Sequence, residues 1–197
     1  MIVNIIVAYC NNYGIGKDNG LVWNIKSDMA KFKKLTIGNG NNAVIMGKNT
    51  FISLNNENGL LKRDNLILSK SVSIDKYNGI NRIKSFNTIQ CLESFVASQN
   101  YDIIWVIGGE QIYKLFLDNY KKDDLSIFDI KKIYITYINK DYECSKFFPD
   151  LMQYNKHNLL FYNKKVHNTS VHNSDNGTNG DDTPAPPNIY DIEYVFS

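Results

Sequence analysis

Ile103-Ile-Trp-Val-Ile-Gly-Gly-Glu-Gln-Ile-Tyr113 decides the fold class. Five apolar residues read as a buried strand, the two glycines break it, and Glu-Gln-Ile-Tyr opens a helix. Paired glycines at a strand's carboxyl end permit unusual backbone geometry and the close approach of a ligand, and open α/β sheets bind ligands at that edge. A tight structural turn is the alternative. Working outward, further strand-like runs cover 2–9, 43–46, 65–68, 132–138, 158–165 and 189–196. Helix-like stretches cover 27–37, with Ser27 as its cap, 91–99 and 111–117. Alternation of strands and helices predicts an α/β protein with one mostly parallel sheet of about eight strands and about four helices. The last two runs have no helix between them and are expected to pair antiparallel.

With 197 residues, the chain is expected to form one domain. Residues 166–188, rich in Asn, Ser, Thr and Gly and ending near three prolines, read as a flexible insertion in the terminal hairpin. A net charge of +2 and the lack of a basic run argue against nucleic acid. The opening apolar run is broken by Asn4 and has no basic leader, so it reads as a strand, and no stretch is long enough to span a membrane. Three widely spaced cysteines (Cys10, Cys91, Cys144) read as reduced thiols, and a cytoplasmic location is expected. His157, His167 and His172 lack metal-ligand spacing, so no metal is expected.

Three further stretches bear on chemistry. Asp28 heads a helical face carrying Phe32 and Leu35; it is either a charge favoured by the helix dipole or a polar group aimed into a pocket. Gly14-Ile-Gly-Lys-Asp-Asn-Gly20 is a weak dinucleotide fingerprint, because Asn19 stands at the third glycine; a ligand-covering loop and a plain surface turn are both open. Gly47-Lys48-Asn49-Thr50 lacks the first glycine and the magnesium-binding hydroxyl of a phosphate loop. It could still hold an anion if a helix begins there.

In order, Gly14-Ile-Gly16-x-x-Asn19-Gly20-Leu21-x-Trp23, Asp28-Met29-x-x-Phe32, Val44-Ile-Met-Gly47-Lys48-x-Thr50-Phe51, Arg63-x-Asn65-x-Ile-Leu68-Ser69, Val106-Ile-Gly-Gly-x-x-Ile-Tyr113, Tyr134-Ile-Thr136 and Phe148-Pro-Asp150 resemble the dihydrofolate reductases. The resemblance runs from the first strand to Asp150, and it implies an NADPH-dependent enzyme reducing dihydrofolate, with folate as a further substrate and antifolates as inhibitors. A monomer serving one-carbon and thymidylate metabolism is expected.

The resemblance also implies roles. Asp28, Leu21, Tyr113 and Thr136 would serve catalysis. Ile6, Val7, Asp28, Met29, Phe32, Thr50, Arg63, Ile107 and Thr136 would bind the substrate, with Asp28 on the pterin's two-donor edge and Thr136 supporting it. Arg63 would clamp the glutamate carboxylate. Ala8, Gly14, Ile15, Gly16, Asn19, Gly20 and Leu21 would embrace the nicotinamide. Gly47, Lys48, Asn49, Thr50, Gly108, Gly109, Glu110, Gln111, Ile112 and Tyr113 would hold the pyrophosphate. Leu68, Ser69, Lys70 and Lys84 would meet the adenosine side.

Five positions depart from the family pattern: Val22 for proline, Leu61-Lys62 for Pro-Gly, Ser145 for an acidic loop latch and Phe51 for tryptophan. They put loop dynamics in question, not the reaction. Rival readings are the related reductase of riboflavin synthesis, a non-catalytic nucleotide- or RNA-binding module, and one half of a fusion with thymidylate synthase.

Overall fold

Five consecutive buried residues, Val3 to Val7, mark β1 (Ile2–Cys10) as a strand covered on both faces. The computed structural model describes residues 1–70, 82–120, 127–157, 159–167 and 187–196. After β1 come β2 (Gly14–Gly16), α1 (Lys26–Ile37), β3 (Ala43–Gly47), α2 (Lys48–Ser53), β4 (Asp64–Leu68), β5 (Ile83–Phe86) and α3 (Ile89–Ala97). Then follow β6 (Ile104–Gly108), α4 (Glu110–Tyr120), β7 (Asp129–Asn139), β8 (Lys146–Phe147), β9 (Leu159–His167) and β10 (Asn188–Phe196).

The main sheet has eight strands in the order β5-β4-β3-β6-β1-β7-β10-β9. Every pairing from β5 to β7 is parallel; β10 alone is antiparallel to both its neighbours. This is the mostly parallel α/β sheet with an antiparallel terminal hairpin that the sequence predicts. Most of the 166–188 insertion, residues 168–186, lies outside the described residues, as does His172. Val166 and His167 belong to β9, and Asn188 opens β10.

Strand alternation sorts the core onto the two sheet faces. Val3, Ile5 and Val7 join Ile45, Val106 and the buried residues of α3 and α4, including Leu92, Val96, Phe116 and Leu117. Ile6, Val44, Met46, Ile67 and Trp105 face the other way, against Phe51 of α2 and Phe32 and Leu35 of α1. Burying each such side chain contributes about 1.5–3 kcal/mol, so the helices are clamped to the sheet along whole faces.

Two local expectations need correction. Helix α1 begins at Lys26 with Ile25 as its N-cap, and no side chain caps it, so Ser27 lies inside the first turn. Helix α3 begins at Ile89, two residues before Cys91, because the Thr88 hydroxyl accepts the Cys91 amide at 3.1 Å.

Candidate active site

Strands β1 and β6 pair only from Val3↔Ile104 to Ile5↔Val106, although both run further. Beyond that register the Ile6 carbonyl accepts a hydrogen bond from the Tyr113 hydroxyl at 2.8 Å. A cleft of about 1000 Å³ opens in this split. It lies at the carboxyl end of parallel strands, where backbone groups are left unpaired by neighbouring strands. Ile6, Val7 and Ala8 of β1 and Ile107 of β6 line it.

At one end α1 supplies Asp28, Met29 and Phe32 to the wall. The helical repeat puts Phe32 one turn beyond Asp28, so a single face carries both the carboxylate and the ring. Met29, 47% exposed, sits at the rim. Across the cleft, burial and then the Asp28 charge push the Tyr113 phenol's pKa upward, keeping it a neutral donor.

Thr136 and Arg63 stand behind this end, off the cleft wall. The buried Thr136 hydroxyl accepts from Lys31 Nζ at 3.0 Å and donates to Asp191 Oδ1 at 3.4 Å. Lys31 and Asp191 form an ion pair, their side chains 20% and 23% exposed. Neither residue stands out in the sequence; only the register of β10 against β7, Asp191↔Thr136, brings them together. Arg63 is buried, donates to the Thr36 hydroxyl and to the Leu61 carbonyl at 3.2 Å, and lies 5.8 Å from the centroid of the Phe32 ring. Among the described residues no carboxylate pairs with it, and burial lowers its pKa.

The opposite end is built from backbone. Gly47, Lys48, Asn49 and Thr50 at the β3–α2 junction, Leu68 at the end of β4 with Ser69 and Lys70 after it, and Gly109, Glu110, Gln111, Ile112 and Tyr113 at the β6–α4 junction all line it. Gly108 (φ +105°) sits just behind: a Cβ there would fall 2.8 Å from the Tyr113 ring. A Cβ on Gly109 would come 3.3 Å from Thr50 Oγ1, and one on Gly47 3.1 Å from Ile112. Side chains at these positions would fill the space, so the glycines keep a cradle open. With Lys48 and Lys70 on its wall, the cradle suits an extended phosphate-bearing dinucleotide.

Lys84 is not on the wall; its ammonium lies 5.1 Å from the centroid of the Phe95 ring. The wall there comes from Asn87, Thr88, Ile89 and Gln90. Sequence reasoning passed over these four, although they follow the carboxyl end of a parallel strand, where such walls form.

The 14–21 segment covers the cleft with Ile15, Gly16, Asn19, Gly20 and Leu21, the last 54% exposed. Gly14 lies off the wall, where β2 pairs with β8. The Ser145 backbone amide donates to the Gly16 carbonyl at 2.9 Å, and Lys17 pairs with Glu143 at 2.9 Å. Among the described residues no cluster of His, Cys, Asp or Glu could hold a metal, and no helix is long and apolar enough to cross a membrane.

Comparison with known proteins places the chain in a family. The model of the family described as dihydrofolate reductase matches residues 2–176. The dihydrofolate reductase of Pneumocystis carinii is 33% identical over 159 residues, covering 75% of this chain and 73% of that protein. The viral dihydrofolate reductase of Saimiriine herpesvirus 2 is 32% identical over 168 residues, covering 82% and 75%. The Gallus gallus dihydrofolate reductase is 30% identical over 156 residues, covering 76% and 78%.

Proposed function

The chain belongs to the dihydrofolate reductase family and is an enzyme of dihydrofolate reduction; from that premise we propose that it uses NADPH and that Asp28 orients the pterin. When bound, the reduced nicotinamide supplies the hydride for C6 of the pterin. The Asp28 carboxylate accepts from the 2-amino and N3 donors of the opposite ring edge, a charge-assisted pair that sets the ring's orientation. Phe32 stacks on the ring, and Ile6, Val7, Met29, Thr50 and Ile107 enclose it. Tyr113 braces the Ile6 carbonyl beside it. Thr136, off the cleft wall and bonded to Lys31 and Asp191, supports the Asp28 helix from behind.

Arg63 takes the glutamate carboxylate as a counter-ion, a reading supported by its burial without an ion pair among the described residues. Ala8 and the 14–21 segment enclose the nicotinamide and exclude bulk water. Water passing Leu21 delivers the proton to N5, while Asp28, bound at the far edge, favours that protonation through its charge. Lys48 and Thr50 hold the pyrophosphate, and Ser69 with Lys70 meets the 2′-phosphate, which is why NADPH is preferred to NADH. Folate is a slower substrate, and antifolates that present the same two-donor edge are inhibitors.

The observation that carries this reading is one cleft lined both by Asp28 and by the residues of the glycine cradle. Dihydrofolate-dependent loss of NADPH absorbance tests it, with wild type and Asp28→Asn in parallel. Turnover of the variant at neutral pH is expected to fall about a hundredfold. Near-normal turnover in the variant, or a wild type that oxidises no NADPH with dihydrofolate, would refute it.

A further inference from the structure

Two thiols meet where the covering segment leaves the sheet. Cys10, the last residue of β1, is fully buried, and Cys144, in the link between β7 and β8, is partly exposed. Their sulfurs are 3.7 Å apart. Gly14 makes the approach possible: a Cβ there would fall 2.7 Å from both Cβ and Sγ of Cys144 and 2.8 Å from the Cys10 sulfur. The next residue after Cys144 is Ser145, whose amide holds Gly16, and the two after that form β8 against β2. Cys144 therefore sits on the strap that ties the covering segment down. Cys91, exposed on α3, belongs to neither element.

We propose that Cys10 and Cys144 form a reversible disulfide by exchange with a small-molecule disulfide, and that this staple holds the 14–21 segment against the sheet. Cys144 is the sulfur a reagent can reach, so its thiolate attacks one sulfur of oxidised glutathione and expels a glutathione thiolate. The Cys10 thiolate then attacks the Cys144 sulfur of the mixed disulfide and expels the second glutathione. One protein dithiol and one glutathione disulfide become one protein disulfide and two glutathione thiols; the protein loses two electrons and two protons, which the glutathione gains. The sulfurs must close from 3.7 Å to the bonded separation of about 2.05 Å. Burial, with Cys144 alongside, raises the pKa of the Cys10 thiol, so the buried Cys10 is the second sulfur to react and not the first.

The cross-link rests on this geometry alone, whereas its effect on turnover rests on the reductase reading. The full chain carrying Cys91→Ser is treated with oxidised glutathione. It is then examined by intact mass and non-reducing peptide mapping, by hydrogen exchange of residues 14–21, and by turnover of dihydrofolate with NADPH. We expect loss of the mass of two hydrogens, a peptide pair joined through Cys10 and Cys144, slower exchange across 14–21, and turnover lowered severalfold and restored by dithiothreitol. Cys144→Ser in the same background should show none of these changes. A stable glutathione adduct without the cross-link, or a cross-link that leaves exchange across 14–21 unchanged, would overturn the proposal. A reduced enzyme without turnover would count against the reductase reading only, since mapping and exchange still decide the staple.

Discussion

The two ends of the cleft are shaped by opposite means. At the α1 end, the wall is made of side chains fixed by a regular element: Asp28 and Phe32 on one helix, whose Lys31 bonds Thr136 of β7 and Asp191 of β10. At the other end the shape comes from side chains that are missing, at Gly47, Gly108 and Gly109, with charge added at the margin by Lys48 and Lys70. A flat ring of fixed polarity calls for a placed carboxylate, whereas a long anionic chain calls for bare backbone and room. Substitutions at the two ends should therefore fail in different ways.

Gly108→Ala breaks that contrast most severely. The added methyl would meet the Tyr113 ring at 2.8 Å on a backbone held at φ +105°. Overpacking and an unfavourable φ together are expected to cost about 3 kcal/mol, read by urea unfolding. A variant as stable as wild type would mean that the cradle is not closely packed after all.

Lys31→Met comes next. It removes the ammonium that pairs with Asp191 and donates to Thr136 in a setting only 20–23% exposed, and a loss of about 1–2 kcal/mol is expected, below the fully buried case because some solvent remains. Adding Asp191→Leu should recover part of that loss, and additive losses would show that the pair is not coupled. NADPH affinity should stay unchanged throughout, because the network backs the other end.

Tyr113→Phe removes the donor to the Ile6 carbonyl at the split between β1 and β6. About 1 kcal/mol of stability is expected to be lost. An unaltered unfolding midpoint would mean that water replaces the hydroxyl without penalty.

The smallest effect concerns the Lys17–Glu143 pair on the covering segment. Lys17 holds the Glu143 carboxyl below its ordinary value of 4.5, and Glu143 in turn raises the Lys17 ammonium. A depressed carboxylate contributes above its unfolded value and loses that contribution as pH falls through the folded one. The raised ammonium would release the pair only at strongly alkaline pH. Hydrogen exchange across 16–20, corrected for its intrinsic pH dependence, should therefore quicken slightly below that acidic range and respond to salt, both groups being exposed. Exchange in Glu143→Gln that follows wild type at neutral pH would show that the Ser145 amide suffices as the latch.

Legibility follows the same contrast. The central strands announced themselves because both faces are buried, so 43–46 and 103–107 read as unbroken apolar runs. The Asp28 face was visible because helical spacing is local. Edge strand β5, Ile83-Lys-Ser-Phe86, was not, because it is short and only Ile83 is buried. β2 and β8, three and two residues long, exist only through pairing across more than a hundred positions. Lys31 with Asp191, and Cys10 with Cys144, meet for the same non-local reason. The onset of α1 was misplaced because no side chain caps it, so Ser27 supplied a false signal.

Equilibrium binding of NADPH and of dihydrofolate to wild type and Asp28→Asn tests the separation of the two ends most directly. Dihydrofolate affinity should fall by about tenfold or more, the worth of a charge-assisted hydrogen bond, while NADPH affinity stays where it was. Unchanged pterin affinity, or equal losses for both ligands, would contradict the account.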